Sequence, residues 1–307
     1  MELRHLRYFV AVAETGSISR AAEKLFIAQP PLSAQIRQLE EEVGVPLLVR
    51  LPRGVTLTAA GQSFLADARA ILARSQHAAT RAREAHGEQA QVLRLGLMPS
   101  ASHSLLPGLV KALQASGLDL RVQAREISPS STQLQALRNA EIDLGFIRLG
   151  VEEVPPEARA AMDDPYCLAI PRQHPLARGS GPLALAQAAH EAFVGFASHH
   201  QSDYFDQTLA LCVEAGFRPE VQHVAGQFAG VLTMVACGLG VAIVPASCFV
   251  AGNRAVVRRK LSGSRYRSQL LMIARDDDPP APWRDEVIAL ARAQLKALAE
   301  RTRASMA

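Results

Sequence analysis

The sequence predicts an α/β protein with a small helical head at its N-terminal end, and three observations carry that prediction. Up to about Glu88 the apolar residues recur at helical spacing, interrupted by one short hairpin pattern. After Gln91 short apolar strands alternate with amphipathic helices, the order that builds sheets covered by helices. The 307 residues are 49% hydrophobic and 20% charged, which excludes a disordered or fibrous chain.

In the head, Leu3, Leu6, Phe9, Val10 and Ala13 share one helical face, and Gly16 follows as a C-terminal cap. Ser17 caps a short second helix that turns Ile18, Ala21, Ala22 and Leu25 inward. After the turn Phe26-Ile27-Ala28, Gln29-Pro30-Pro31 opens a third helix that ends at Gly44. At roughly 100° per residue, Leu32, Ile36, Leu39 and Val43 form an inward stripe, while Pro30, Ser33, Ala34 and Arg37 fall on the outer face. Such a small, polar surface suits close approach to base edges. Ser33 and Arg37, flanked by Gln29 and Gln38, supply donors to bases or phosphates. Glu40, Glu41 and Glu42 repel phosphate at the far end, so the N-terminal half of the helix is expected to face DNA. Two short strands then flank Leu51-Pro52-Arg53-Gly54, a wing whose Arg50 and Arg53 can reach phosphates or a narrow minor groove. The candidate DNA-binding residues of this winged helix-turn-helix are Ser17, Gln29, Pro30, Pro31, Ser33, Ala34, Arg37, Gln38, Arg50 and Arg53. The plain alternative is a small core with solvated charges. Net charge does not decide between them. Of the excess of +4, residues 1 to 90 hold 11 basic against 9 acidic side chains, and the remainder 22 against 20.

From Thr58 to about Glu88 a long helix carries Leu65, Ala68, Leu72, Ser75, Ala79 and Ala82 at heptad spacing, which predicts close helix pairing. Two heads fixed together read a spaced inverted repeat in double-stranded DNA. Beyond it, strands are expected at Leu93 to Leu97, Leu118 to Glu126, Ile142 to Ile147, Tyr166 to Ile170 and Phe193 to Phe196. Further strands fall at Val221 to Val224, Val241 to Val244, Ala255 to Arg259 and Gln269 to Ala274. Helices are expected at Ser104 to Ala115, Ser131 to Ala140, Asp203 to Ala215, Phe228 to Gly238 and Pro282 to Glu300, over parallel sheets.

Other classes find little support. The apolar run Val231 to Ala246 is interrupted by Gly238 and Gly240 and is too short to span a bilayer. The opening residues lack an export pattern, so a cytoplasmic protein is expected. Four cysteines without a CxxC pair read as reduced and mostly buried. His199-His200 has only Asp203 nearby, Gly238-Leu239-Gly240 is no dinucleotide loop, and no GxSxG elbow occurs, so neither enzyme, metal nor cofactor is expected.

The segments Ala21-Ala22-Glu23-Lys24-Leu25, Gln29-Pro30, Leu32-Ser33, Ile36, Leu39-Glu40 and Leu57-Thr58-Ala59-Ala60-Gly61 resemble the N-terminal domain of LysR-type transcriptional regulators. The opening Met1 to Phe9 and the Gln29-Pro30-Pro31 run are similar to members controlling catabolism of aromatic acids, including 3-phenylpropionate- and muconate-responsive regulators. Members often carry arginine where this chain has Ala34, which shifts weight to Gln29, Ser33 and Arg37.

The resemblance implies a DNA-binding domain over residues 1–58, a dimerisation helix over 59–88 and an effector-binding domain over 89–307. The last comprises two α/β subdomains resembling a periplasmic binding protein, about 91–164 with 268–307 and about 165–267. The chain would cross between them near Pro165 to Leu168 and near Arg265 to Leu271. Also implied are a dimer or tetramer, activation of an operon with RNA polymerase as partner, and a small organic acid as effector. Loops beyond strand ends suit such a ligand: Pro99 to Ser102, Ser128 to Thr132, and Ala197 to Tyr204. Matching positions imply Ser100, then Ser130 or Ser131, as hydroxyl and N–H donors, and Tyr204 and Phe228 as walls. Ser102 in the first of these loops is a further candidate, and Arg148, just past the strand ending at Ile147, is placed to add charge. Serines that cap helices and a phenylalanine of the core are the plain alternatives. The rival functions are a ligand-independent DNA-binding repressor and a solute-binding protein.

Overall fold

The structure is a computed structural model describing residues 1–52, 54–85, 91–149, 154–179, 181–196, 203–249, 254–263, 266–276 and 281–304. It comprises two units, one over Met1–Gln89 with Arg138–Glu141 and one over Ala90–Leu137 with Ile142–Ala307.

In the first unit, α1 (Leu3–Thr15) buries Leu6, Phe9 and Val12 and stops at Gly16, whose φ of 62° lets its N–H close on Val12. The Ser17 hydroxyl accepts from the N–H of Arg20 and caps α2 (Ile18–Leu25). Helix α3 (Gln29–Val43) follows, with prolines in a first turn whose N–H groups need no intrahelical partner. Leu32, Ile36 and Leu39 meet Phe9, Ala21 and Leu47 in one core. The wing pairs β1 (Leu48–Leu51) with β2 (Gly54–Leu57), antiparallel. Two glycines permit its close seating. Gly54 has φ 117°, and a Cβ there would stand 2.5 Å from the Gly16 carbonyl oxygen. A Cβ on Gly61, in α4 (Ala59–Ala85), would stand 2.0 Å from that of Leu47. Glu40 accepts from the N–H groups of Leu47 and Leu48 at 2.8 and 3.0 Å. A carboxylate expected only to repel phosphate therefore ties the wing to α3.

The heptad seam of α4 is split. Leu65, Ala68 and Leu72 turn into the head's own core, Ala68 completely, whereas Ala79 and Ala82 are exposed. A 27-residue helix packs its first half where the head offers an apolar surface, and Ala79 and Ala82 of its second half are left exposed.

The second unit contains two sheet systems. The first has the order β4-β3-β5-β12-β6. Here β3 (Gln91–Leu97), β4 (Leu120–Glu126) and β5 (Leu144–Leu149) run parallel, while β12 (Gln269–Ala274) lies antiparallel between β5 and β6 (Ala158–Asp163). Leu95, Leu97 and Met272 face α6 (Leu106–Ser116) and α10 (Arg284–Ala304) on one side; Ile147, Leu271 and Ile273 face α7 (Ser130–Arg138) on the other. The second system joins β7 (Tyr166–Pro171) antiparallel to β10 (Ala242–Pro245) and β11 (Val256–Lys260). Its other pair, β8 (Ala192–Phe196) with β9 (Glu220–Ala225), is parallel and is covered by α8 (Asp203–Glu214) and α9 (Phe228–Ala236). The chain passes between the systems twice, from β6 to β7 and from β11 to β12.

Three expectations are corrected. The sheets are not all parallel: the first is mixed, because β12 returns from the other system and enters it from the opposite direction, and β10-β7-β11 is antiparallel. The strand β6 is absent from the sequence reading: Ala158 to Asp163 lacks the alternation of large apolar residues that marks a strand, and its pairing with β12 supplies the order. The segment Pro99 to Ser102 is not a loop but the start of a short helix, α5 (Pro99–Ser104), which breaks at Leu105 before α6. Among the described residues, no helix is long and apolar enough to cross a membrane.

Candidate functional site

On α3, the residues opposite the Leu32 stripe present a continuous outer face. Gln29, Pro30, Pro31, Ala34, Arg37 and Gln38 are all exposed, as is Arg50 on the wing. Ser33 is the correction: it is only 9% exposed. At roughly 100° from Leu32 it sits at the edge of the stripe, about 60° from Ile36, close enough to the packed face for a small side chain to be covered. Ser17 is half-buried and acts as the cap of α2. Two glutamines are already tethered. Gln29 accepts from the Ser19 hydroxyl at 3.3 Å, and Gln38 donates to Glu42 at 3.3 Å. Arg53 lies outside the described residues.

In the second unit, Ser100 in the first turn of α5 is 3% exposed and lines a cavity of about 210 Å³. Phe228, Leu232 and Phe249 wall this cavity from the second sheet system, with His103 and Thr233 at its margin. Behind Ser100 stands Arg148, at the end of β5. Its guanidinium donates to the Ser100 hydroxyl at 3.3 Å, to the Asp164 carboxylate at 2.6 Å and to the Ser268 hydroxyl at 2.6 Å. Asp164 also accepts from the N–H of Ser247 at 2.8 Å and from its hydroxyl at 2.5 Å. Burial disfavours the charged guanidinium, but the Asp164 carboxylate, together with other neighbouring groups including Tyr166, offsets that penalty and holds the arginine above its ordinary pKa. Arg148 is thus not an available cation for an acidic ligand. It is the buried half of an ion pair that links both crossing segments.

The other predicted positions divide. The Ser130 hydroxyl is spent on the Arg148 carbonyl at 2.7 Å, because the start of α7 abuts β5 there. Ser131 is exposed and outside the cavity. Ser102 lies two residues beyond Ser100 and therefore points away from the cavity wall. Phe228 stacks on Phe196 at 5.0 Å and faces the cavity, whereas Tyr204 packs edge-on behind it at 4.9 Å with its hydroxyl donated to the Ile243 carbonyl. Burial pushes that phenol up. The stretch 197–202, including His199-His200, lies outside the described residues. The sequence reading missed Asp164, Ser247, Ser268 and Phe249. The only local signal was the acidic pair Asp163-Asp164 before Pro165 at the crossing.

A winged helix-turn-helix head and a cleft between two α/β sheet systems, carried on one chain, define a DNA-reading protein with a sensor unit. Comparisons give that class a family. Residues 3–62 match "Bacterial regulatory helix-turn-helix protein, lysR family", and residues 86–296 match "LysR substrate binding domain". The chain is 36% identical over 279 residues to the HTH-type transcriptional regulator AlsR of Bacillus subtilis (strain 168), covering 91% of each. It is 37% identical over 290 residues to the Hca operon transcriptional activator HcaR of Escherichia coli (strain K12), covering 93% of this chain and 95% of that one. A crystal structure of full-length CbnR complexed with its target DNA matches with a TM-score of 0.62 at 27% identity, over 97% of this chain and all of the other (100%). The chain belongs to the LysR family of DNA-binding transcriptional regulators.

Proposed function

We propose that the chain activates transcription in response to a small carboxylate, aromatic or derived from an aromatic compound, bound in the cleft beside Ser100. The cleft itself carries this reading: aromatic and aliphatic walls from Phe228, Phe249 and Leu232 surround a buried serine hydroxyl. Because the Ser100 oxygen already accepts from Arg148, its own hydrogen is directed to another acceptor, and a ligand carboxylate provides one. In the head, Arg37 and Arg50, with Gln29 and Gln38, engage DNA. Pairing through the exposed half of α4 sets two heads on a spaced inverted repeat, in a dimer or tetramer that works with RNA polymerase in the cytoplasm. The activator role of HcaR and the DNA complex of CbnR support the reading.

Calorimetric titration of the full chain with aromatic carboxylates, including benzoate and 3-phenylpropionate, tests it. At least one is expected to bind and to alter the footprint on promoter DNA. Ser100→Ala should weaken that binding by roughly tenfold while DNA affinity stays unchanged. Silence across the panel would overturn the reading in favour of a ligand-independent repressor, and full affinity in the variant would overturn the cleft assignment by placing the ligand away from Ser100.

A further inference from the structure

Beside the Ser100 cleft lies a second and larger cavity, of about 490 Å³, that shares the His103 and Phe249 walls with it. Two arginines line it from different parts of the second unit: Arg258 of β11, in the second sheet system, and Arg301 of α10, packed on the first. No Asp or Glu lines it among the described residues. Arg258 is held in place rather than swinging in solvent. Its guanidinium carbon stands 5.1 Å from the centre of the Phe249 ring, and one Nη donates to the Ala246 carbonyl at 3.1 Å. Arg301 is exposed on the other side.

We infer that this cavity is a binding site for a small organic dianion, with one acidic group met by Arg258 and the other by Arg301. Two like charges facing a half-open cavity raise the local concentration of anions and favour a ligand that can neutralise both. The planar guanidinium recognises a carboxylate through two parallel donors, which fixes direction as well as charge. Val256, Leu298 and Phe249 present apolar surface between the charges, so the cavity takes a carbon skeleton in preference to a bare oxyanion. A ligand held from both sheet systems stabilises their mutual arrangement. The site adjoins the cleft chemically as well, since Ser104 on its wall donates to the Ser100 carbonyl at 2.9 Å and Ser247 to Asp164.

The test is calorimetric titration of the full chain with glutarate and phthalate, set against inorganic phosphate and neutral glutaramide. Both dianions should bind, glutaramide should not, and phosphate should bind at least tenfold more weakly. Arg258→Gln and Arg301→Gln should each weaken glutarate by on the order of tenfold, while Ser100→Ala leaves it unchanged. If Arg258→Gln fails to fold, Arg301→Gln decides the matter, because that side chain is exposed. Absence of heat with either dianion, phosphate binding as tightly, or undiminished affinity in Arg301→Gln overturns the inference. Loss of glutarate binding in Ser100→Ala but not in Arg301→Gln also overturns it and reassigns the ligand to the first cleft.

Discussion

Asp164 gathers polar contacts from several separate parts of the second unit. It is fully buried and receives hydrogen bonds from Arg148 and from both donors of Ser247. An ion pair in such a place gains little over a well-packed apolar pair, but losing one partner leaves the other charge stranded. Asp164→Asn should therefore cost about 3–5 kcal/mol of the second unit's stability. Urea unfolding followed by the fluorescence of Trp283, the single tryptophan and packed against the first sheet's core, measures it. A midpoint equal to that of the parent chain would show the pair to be dispensable. The identity of the partner was not legible in the local sequence. Arg148 is 16 residues from Asp164 and 120 from Ser268, and Asp164 is 83 from Ser247.

At the scale of elements, α3 is the one whose two faces have separate duties. The inward stripe holds the head together, and the exposed Arg37, with Arg50 on the adjacent wing, carries the proposed contacts with DNA. Replacing either arginine by alanine should weaken binding to a duplex recognised by the parent chain by roughly 1–3 kcal/mol, with the helical signal in circular dichroism intact. Fluorescence anisotropy at two salt concentrations separates the cases: a phosphate contact also lowers the salt slope, whereas a base contact changes sequence preference. Affinity unchanged in both variants would remove this face from the interface. Ser33→Ala is expected to act chiefly on stability, because the side chain is buried at the edge of the inward stripe of α3. Helical periodicity alone placed Ser33 on the outer side, since a wheel shows angles and not the width of the neighbour that packs against it.

Across the whole molecule, the four cysteines report which surfaces are closed. Cys237 is exposed, and Cys167, Cys212 and Cys248 are buried. Burial pushes the Cys212 thiol up to about 12 and raises those of Cys167 and Cys248 as well, so the nucleophilic thiolate is scarce at all three. One thiol per chain should react quickly with Ellman's reagent in the native protein, and four after unfolding. Fast release from two or more in the native state would contradict the packing of the second sheet system.

The sequence by itself determined the ends and faces of individual elements, because caps, prolines in first turns and apolar periodicity act within one or two helical turns. Gly16, Ser17 and Gly44 bound the helices of the head for that reason, and the two crossings between sheet systems fall near the expected positions. Only the tertiary structure decided which buried polar groups meet. The burial of Ser33, the burial of the first half of the α4 seam, the antiparallel insertion of β12 and the capture of Arg148 by Asp164 all depend on surfaces that meet only when the chain is folded. The physical reason is that desolvation and ion pairing are set by everything packed around a group, and a local pattern contains only what precedes and follows it.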